Sequence, residues 1–106
     1  MITGLSRRIW NNRQRKLLEI RRIVGVSMLP LFRPETVVWA TGLFRKLRPG
    51  DVVIVKHDGL EKIKRVEAIV DGQLFVLGDN VLGSTDSRSF GWLGIESVQA
   101  KVIWPH

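Results

Sequence analysis

The chain has 106 residues, which is enough for one domain with a modest hydrophobic core. It contains no cysteine, so disulfides, thiol nucleophiles and cysteine-bound metals are excluded, and its two histidines are His57 and His106. With so few ligating side chains we expect no metal site and no cofactor. The net charge of +7 is unevenly distributed along the chain. Residues 1–22 contain seven of the 17 basic residues and only one of the ten acidic residues. The sequence therefore predicts a nearly neutral domain preceded by a basic segment.

Residues 1–17 are predicted to form a basic N-terminal arm that is disordered or contains a short helix starting at Ser6. Such an arm can contact anionic lipid or nucleic acid, although a solvated terminus is the simpler interpretation. No apolar run approaches the roughly 18–20 residues that span a bilayer. We therefore expect no integral membrane segment, and peripheral membrane contact through the arm stays open.

Residues 18–106 are predicted to form a single domain of short strands. A first strand leading to Ser27 is predicted from apolar residues of one parity, namely Leu18, Ile20, Val24 and Val26. Further strands are predicted at 36–40, 52–55, 62–70, 74–77 and 98–104. The pair Asp71-Gly72 favours a tight hairpin turn, and the long Gly-, Ser- and Asp-rich loop at 78–94 is expected to be functional. This spacing of strands and turns indicates a mainly β, antiparallel domain.

Three segments hold candidate catalytic groups: Ser27-Met28-Leu29-Pro30, Lys64-Arg65, and the loop from Gly78 to Arg88. Peptide hydrolysis needs a nucleophile, a base that takes its proton, and donors for the oxyanion. Ser27 can be the nucleophile. Because His57 is predicted to lie in an exposed loop, the base has to be a lysine or a carboxylate, and serine-lysine pairs are a known variant of the catalytic triad.

Lys64 lies in an apolar strand, where burial can lower its pKa far enough for the neutral amine to act as a base. Lys62 points to the same face of the strand, so periodicity does not choose between the two lysines. Arg65 points to the opposite face, where it can pair with a carboxylate.

Taken together, the three segments resemble the type I signal peptidase family of Ser/Lys proteases. The resemblance rests on Ser27-Met28-Leu29-Pro30, on Lys64-Arg65-Val66, and on the long run from Gly78-Asp79-Asn80 through Ser84-Thr85-Asp86-Ser87-Arg88 to Gly91. It implies a small antiparallel domain with a coiled sheet or partial barrel. It also implies site roles, with Ser27 as nucleophile, Lys64 as general base, Ser84 orienting the lysine, Asp86 paired with Arg88, and Asp79 paired with Arg65.

The resemblance further implies that substrate binds as an added strand, with small side chains near the scissile bond. The substrate-binding residues would be those before the serine and the lysine, namely Gly25, Val26, Lys62 and Ile63, together with Met28 directly after the serine. Two positions differ from the family pattern: Leu31 replaces a frequent Thr, and Gly25 replaces a Ser that donates to the oxyanion in some members. A second oxyanion donor is therefore not identified.

The short form without a membrane anchor resembles the proteases that mature nickel-type superoxide dismutase. The expected partner is then a precursor protein with an N-terminal leader, the nickel belongs to the substrate, and the location is cytoplasmic. One alternative is a leader peptidase at a membrane surface that acts on secreted or organellar preproteins. Another is a basic nucleic-acid-binding or repressor-like autopeptidase module, although no nucleic-acid-binding motif is evident and no nucleic-acid partner is expected.

Overall fold

A computed structural model describes residues 15–105 of the chain. Most of the predicted basic arm, including the helix expected from Ser6, lies outside these residues, as does His106.

Within the described residues, seven strands form one antiparallel sheet. They are β1 (Glu19–Arg22), β2 (Val37–Thr41), β3 (Val52–His57), β4 (Leu60–Val70), β5 (Gln73–Leu77), β6 (Leu93–Gly94) and β7 (Val98–Trp104). Their order across the sheet is β1-β2-β7-β3-β4-β5-β6, which leaves β1 and β6 as edges and the sheet open. The predicted mainly β, antiparallel class is therefore confirmed.

Tight turns produce the two hairpins at the centre of the sheet. Asp58 and Gly59 join β3 to β4, and Asp71 and Gly72 join β4 to β5, all four with positive φ. This backbone conformation suits Gly and is tolerated by Asp, which is why Asp-Gly pairs favour hairpins. The long β4 pairs with β3 over residues 60–65 and with β5 from Arg65 onward. Residues 60–64 of β4 therefore have an open edge toward the β5 side in the described chain.

The core consists of two clusters of buried apolar residues that meet at β3. Val52 and Ile54 face one cluster, while Val53 and Val55 face the other. The first cluster also contains Met28, directly after Ser27, and Phe32, five residues after it, and each is 1% exposed. Because burial of a large apolar side chain contributes about 1.5–3 kcal/mol, these two residues fix the turn that carries the serine.

The structure differs from the sequence expectation along the first strand. β1 is limited to Glu19–Arg22, and the apolar residues of the predicted parity are exposed, namely Leu18, Ile20, Val24 and Val26. Ile23, of the opposite parity, is buried in the first cluster. After the strand ends at Arg22, the chain turns at Gly25, whose φ of 85° is left-handed.

The predicted loop at 78–94 contains three short elements. They are a 3-10 turn at Val81–Gly83, helix α1 at Ser87–Phe90, and β6. The Asp86 carboxylate accepts a hydrogen bond from the Arg88 backbone N–H and so caps α1. Elements of two to four residues carry no periodicity, which explains why the sequence predicts only a loop here.

Candidate active site

Ser27 begins the turn that follows the buried Ile23 and is half-buried. The Ser27 carbonyl oxygen accepts a hydrogen bond from the Asn80 backbone N–H at 2.7 Å. The Val26 carbonyl oxygen accepts from Asn80 Nδ2 at 3.0 Å and from the Leu29 N–H at 3.1 Å. The loop that follows β5, which begins at Gly78, is therefore hydrogen-bonded directly to the backbone of the turn that carries Ser27, called the serine turn below.

Lys64 extends from β4 into a buried position and is 4% exposed. Its Nζ donates to Ser84 Oγ at 3.1 Å, and Ser84 Oγ donates in turn to Asp86 Oδ2 at 3.0 Å. Burial lowers the pKa of Lys64, the negative charge of Asp86 opposes that change, and the positive charges of Lys62 and Arg88 reinforce it. At a given pH, a larger fraction of the Lys64 amine is therefore neutral than in an ordinary lysine.

Asp86 is the most heavily hydrogen-bonded carboxylate in this region and is 1% exposed. It accepts from Arg88 Nε at 2.9 Å, from Arg88 Nη2 at 2.6 Å and from the Gly78 N–H at 2.8 Å, besides Ser84. Burial by itself raises the pKa of Asp86, but the hydrogen bonds from Arg88, Gly78 and Ser84 outweigh it and hold that pKa far below its usual value. Asp86 is therefore ionised at neutral pH and fixes the orientation of the Ser84 hydroxyl.

Gly78 allows the closest approach between the loop and the serine turn. A β-carbon at Gly78 would lie 2.5 Å from Ser84 Cβ and 2.8 Å from the Ser27 carbonyl oxygen. Both distances are too short for any side chain. The absence of a side chain at Gly78 is what lets Ser84 reach Lys64.

The second ion pair of the loop lies on the other face of β4. Arg65 Nε and Nη2 donate to the two carboxylate oxygens of Asp79, each at 2.8 Å, and Nη1 donates to the Gly50 carbonyl at 2.8 Å. A bidentate pair of this kind fixes geometry as well as charge. It anchors the start of the loop to β4 one residue after Lys64.

The two lysines that periodicity leaves equivalent have different surroundings. Lys64 reaches Ser84, whereas Lys62 Nζ lies 4.9 Å from the ring centroid of Phe90, the last residue of α1. His57 also stacks on Phe90, at 4.2 Å between ring centroids. His57 thus packs against α1 and does not belong to the Ser27 region.

Ser27 and Lys64 line the same cavity, of about 350 Å³, between the serine turn and the open edge of β4. Of the predicted substrate-binding residues, Met28, Lys62 and Ile63 also line it, while Gly25 and Val26 do not. Sequence reasoning did not include the remaining lining residues, namely Arg21, Arg22, Ile23, Val24, Ile54, Glu61 and Thr85. Thr85 lies within the Ser84-Thr85-Asp86 run that the sequence singles out. The others lie on β1, β3 and β4 or just after β1, and no motif links them.

Across residues 15–105 no three His, Asp or Glu side chains are grouped so that they could hold a metal ion. In the same range no helix has the length and apolar character needed to cross a membrane.

Comparison with known proteins bears on the second half of the site. Residues 58–106 match the family model described as signal peptidase, peptidase S26. The match includes Lys64 and the loop with Ser84, Asp86 and Arg88, and it leaves out Ser27. More specifically, a signal peptidase I from Bacillus caldolyticus is 43% identical over 49 residues, which cover 43% of this chain and 27% of that protein. The chain therefore matches only a limited part of that relative's length.

Proposed function

We propose that this chain is a serine endopeptidase with a Ser27/Lys64 dyad that removes an N-terminal leader from a precursor protein. The observation that carries the proposal is the buried Lys64 amine, which is held by Ser84 and lines one cavity with Ser27. The match of residues 58–106 to the signal peptidase family supports it.

In the proposed mechanism the neutral Lys64 amine takes the proton of the Ser27 hydroxyl, and Oγ attacks the scissile carbonyl carbon. The backbone N–H of Ser27 donates to the oxyanion. Collapse of the tetrahedral intermediate breaks the C–N bond, and the Lys64 ammonium returns the proton to the leaving amine. Water, deprotonated by Lys64, then attacks the acyl-enzyme carbonyl carbon. The bond between that carbon and Ser27 Oγ breaks, the Lys64 ammonium returns the proton to Oγ, and the leader leaves as a carboxylic acid.

Substrate binds as an extended strand along the open edge of β4, next to residues 60–64. Unpaired backbone groups of a sheet edge are a template for such strand addition. The cavity floor beside Ser27 is apolar and contains Met28, Ile54 and Ile63. A small apolar side chain before the scissile bond fits this floor.

The dyad is tested by single substitutions assayed on leader-containing precursors, with new N-termini read by mass spectrometry. Ser27→Ala and Lys64→Ala are each expected to lower kcat by at least about 10³-fold, because each removes a group that acts in bond cleavage. Lys62→Ala is the matched lysine control and is expected to retain turnover. An inactive Lys62→Ala together with an active Lys64→Ala would overturn the assignment of the base.

For the precursor, we propose nickel-type superoxide dismutase, whose leader is cut to free the N-terminal amine. The support is the resemblance described in the sequence analysis. The test compares cleavage of that precursor with cleavage of a secretory preprotein at equal concentration. Faster cleavage of the secretory preprotein would contradict this substrate and favour the alternative of a peptidase that acts on secreted or organellar preproteins.

One observation favours the alternative of a peptidase at a membrane surface. Ile20, Trp39 and Trp104 lie opposite one another on β1, β2 and β7, and all three are exposed. Aromatic and aliphatic side chains grouped on a surface can enter a lipid interface. Flotation with anionic liposomes at low and high salt tests this alternative, and absence of binding at both salt concentrations would dismiss it.

A further inference from the structure

The cavity beside Ser27 has two layers of side chains. On β4, Ile63 and Glu61 point to the same face because they are two residues apart. On the opposite wall, Ile23 and Arg21 are related in the same way, and all four residues line the cavity. The layer nearer to Lys64 is apolar, since Ile23 is buried in the first core cluster and Ile63 packs against that cluster. The next layer is polar.

An ion pair between Arg21 and Glu61 forms this polar layer. Arg21 Nε donates to Glu61 Oε1 at 2.7 Å, and Nη2 donates to Glu61 Oε2 at 3.1 Å and to Glu19 Oε1 at 2.7 Å. β1 and β4 are not neighbours in the sheet, so the pair bridges the cleft between them. The side chains of Arg21 and Glu61 are 33% and 41% exposed, which leaves carboxylate lone pairs accessible from the cavity.

A substrate strand in this cleft would place alternate side chains over the two layers. Side chains on one face of a strand repeat every second residue, about 6.6–7 Å apart. The side chain next to the scissile bond therefore lies over Ile23 and Ile63. The side chain two residues upstream lies over Arg21 and Glu61, while the one between them points away from the cavity.

The polar layer distinguishes substrate side chains of equal size. An aliphatic group over the ion pair would remove water from both charges without replacing its hydrogen bonds, which is unfavourable. A hydroxyl group of the same size can donate to a free lone pair of Glu61.

We propose that Arg21 and Glu61 form a specificity subsite for one side chain of the substrate. This side chain lies two residues upstream of the residue next to the scissile bond. At that position the subsite selects a small hydrogen-bonding side chain, such as Thr or Ser, over an aliphatic one. This inference rests on the proposed peptidase function and adds a substrate preference to it.

Thr and Val have nearly the same shape, so a comparison of the two isolates the effect of the hydroxyl group on cleavage. The probes are two quenched fluorescent peptides with Ala next to the scissile bond and either Thr or Val two residues upstream. The wild-type protein is expected to cleave the Thr peptide with a kcat/KM roughly three- to tenfold higher, the range of one net hydrogen bond. A second pair, with Thr or Val at the intervening position, is the control and should differ by less than about twofold, because that side chain faces away.

Two substitutions of Glu61 test whether the preference comes from this residue. Glu61→Leu leaves Arg21 paired with Glu19 and is expected to abolish or reverse the preference for Thr. Glu61→Gln retains a hydrogen-bonding group and is expected to keep it. General damage to the fold would lower cleavage of both peptides alike and leave their ratio unchanged.

The possible outcomes separate the subsite from the function on which it rests. Equal cleavage of the Thr and Val peptides by the wild type, or an unchanged ratio in Glu61→Leu, would overturn the subsite while leaving the peptidase intact. If the wild type cleaves none of the four peptides and no leader-containing precursor, the proposed function fails and the subsite fails with it.

Discussion

The amine of Lys64 has a specific protonation requirement in the proposed reaction. Only the neutral form can accept the proton of Ser27, and burial lowers the pKa of this amine. Cleavage is therefore expected to increase with pH as Lys64 loses its proton, at a pH below the ordinary lysine pKa of about 10.4. The measurement is kcat/KM between pH 5 and pH 10. A flat profile across this range would contradict a lysine base.

The same burial should reduce the stability of the fold. The unfolded chain keeps Lys64 protonated up to about pH 10.4, whereas the folded state disfavours the ammonium form. Lys64→Met is therefore expected to raise the free energy of unfolding at pH 7 by about 1–2 kcal/mol while abolishing cleavage. The gain should shrink as the pH rises toward the unfolded pKa and vanish only well above it, where both states are neutral. Urea unfolding at pH 7 and pH 10.5 measures it, and a variant less stable than wild type at pH 7 would argue against the burial cost.

At the level of elements, the loop after β5 depends on close contact with the serine turn. Gly78→Ala would place a methyl group against Ser84 and the Ser27 carbonyl. We expect a loss of about 1–3 kcal/mol, typical of overpacking, together with a strong loss of kcat because Ser84 is displaced from Lys64. Gly72→Ala is the control, since Gly72 has a positive φ of 76° but no atom within reach of a β-carbon. It should lower stability through backbone strain and leave the pH profile of cleavage unchanged.

The elements also show which structural features the sequence could predict. The hairpins around β4 were predicted because Asp-Gly turns and strand periodicity are local signals. The sequence did not predict which side chains of residues 18–26 are buried. The four apolar residues of one parity in this stretch are exposed, and Ile23, of the opposite parity, is buried just before the turn at Gly25. The contact between Arg21 and Glu61 arises from the arrangement of strands that are not neighbours in the sheet. No spacing rule within one segment can predict such a contact.

For the molecule as a whole, the opening in the sheet and the cavity have the same origin, a gap between two strands. The sheet does not close because β1 and the first half of β4 have no strand between them, and the cavity with Ser27 and Lys64 occupies that gap. A substrate segment that binds there would add a strand and join the two walls. Binding should therefore stabilise the sheet on both sides of the gap, beyond the residues that contact the scissile bond.

Hydrogen exchange can detect this effect in the Ser27→Ala protein, which is expected to bind substrate without cleaving it. Addition of a leader peptide is expected to slow exchange about tenfold or more at alternate backbone amides within residues 60–64, because their N–H groups gain a strand partner. Amides of 19–24 should be protected to a smaller extent. The edge strand β6 serves as the internal control, since Leu93 and Gly94 lie at the opposite edge of the sheet. Protection centred on β6, or none at 60–64 at a saturating peptide concentration, would show that substrate does not bind by adding a strand to β4.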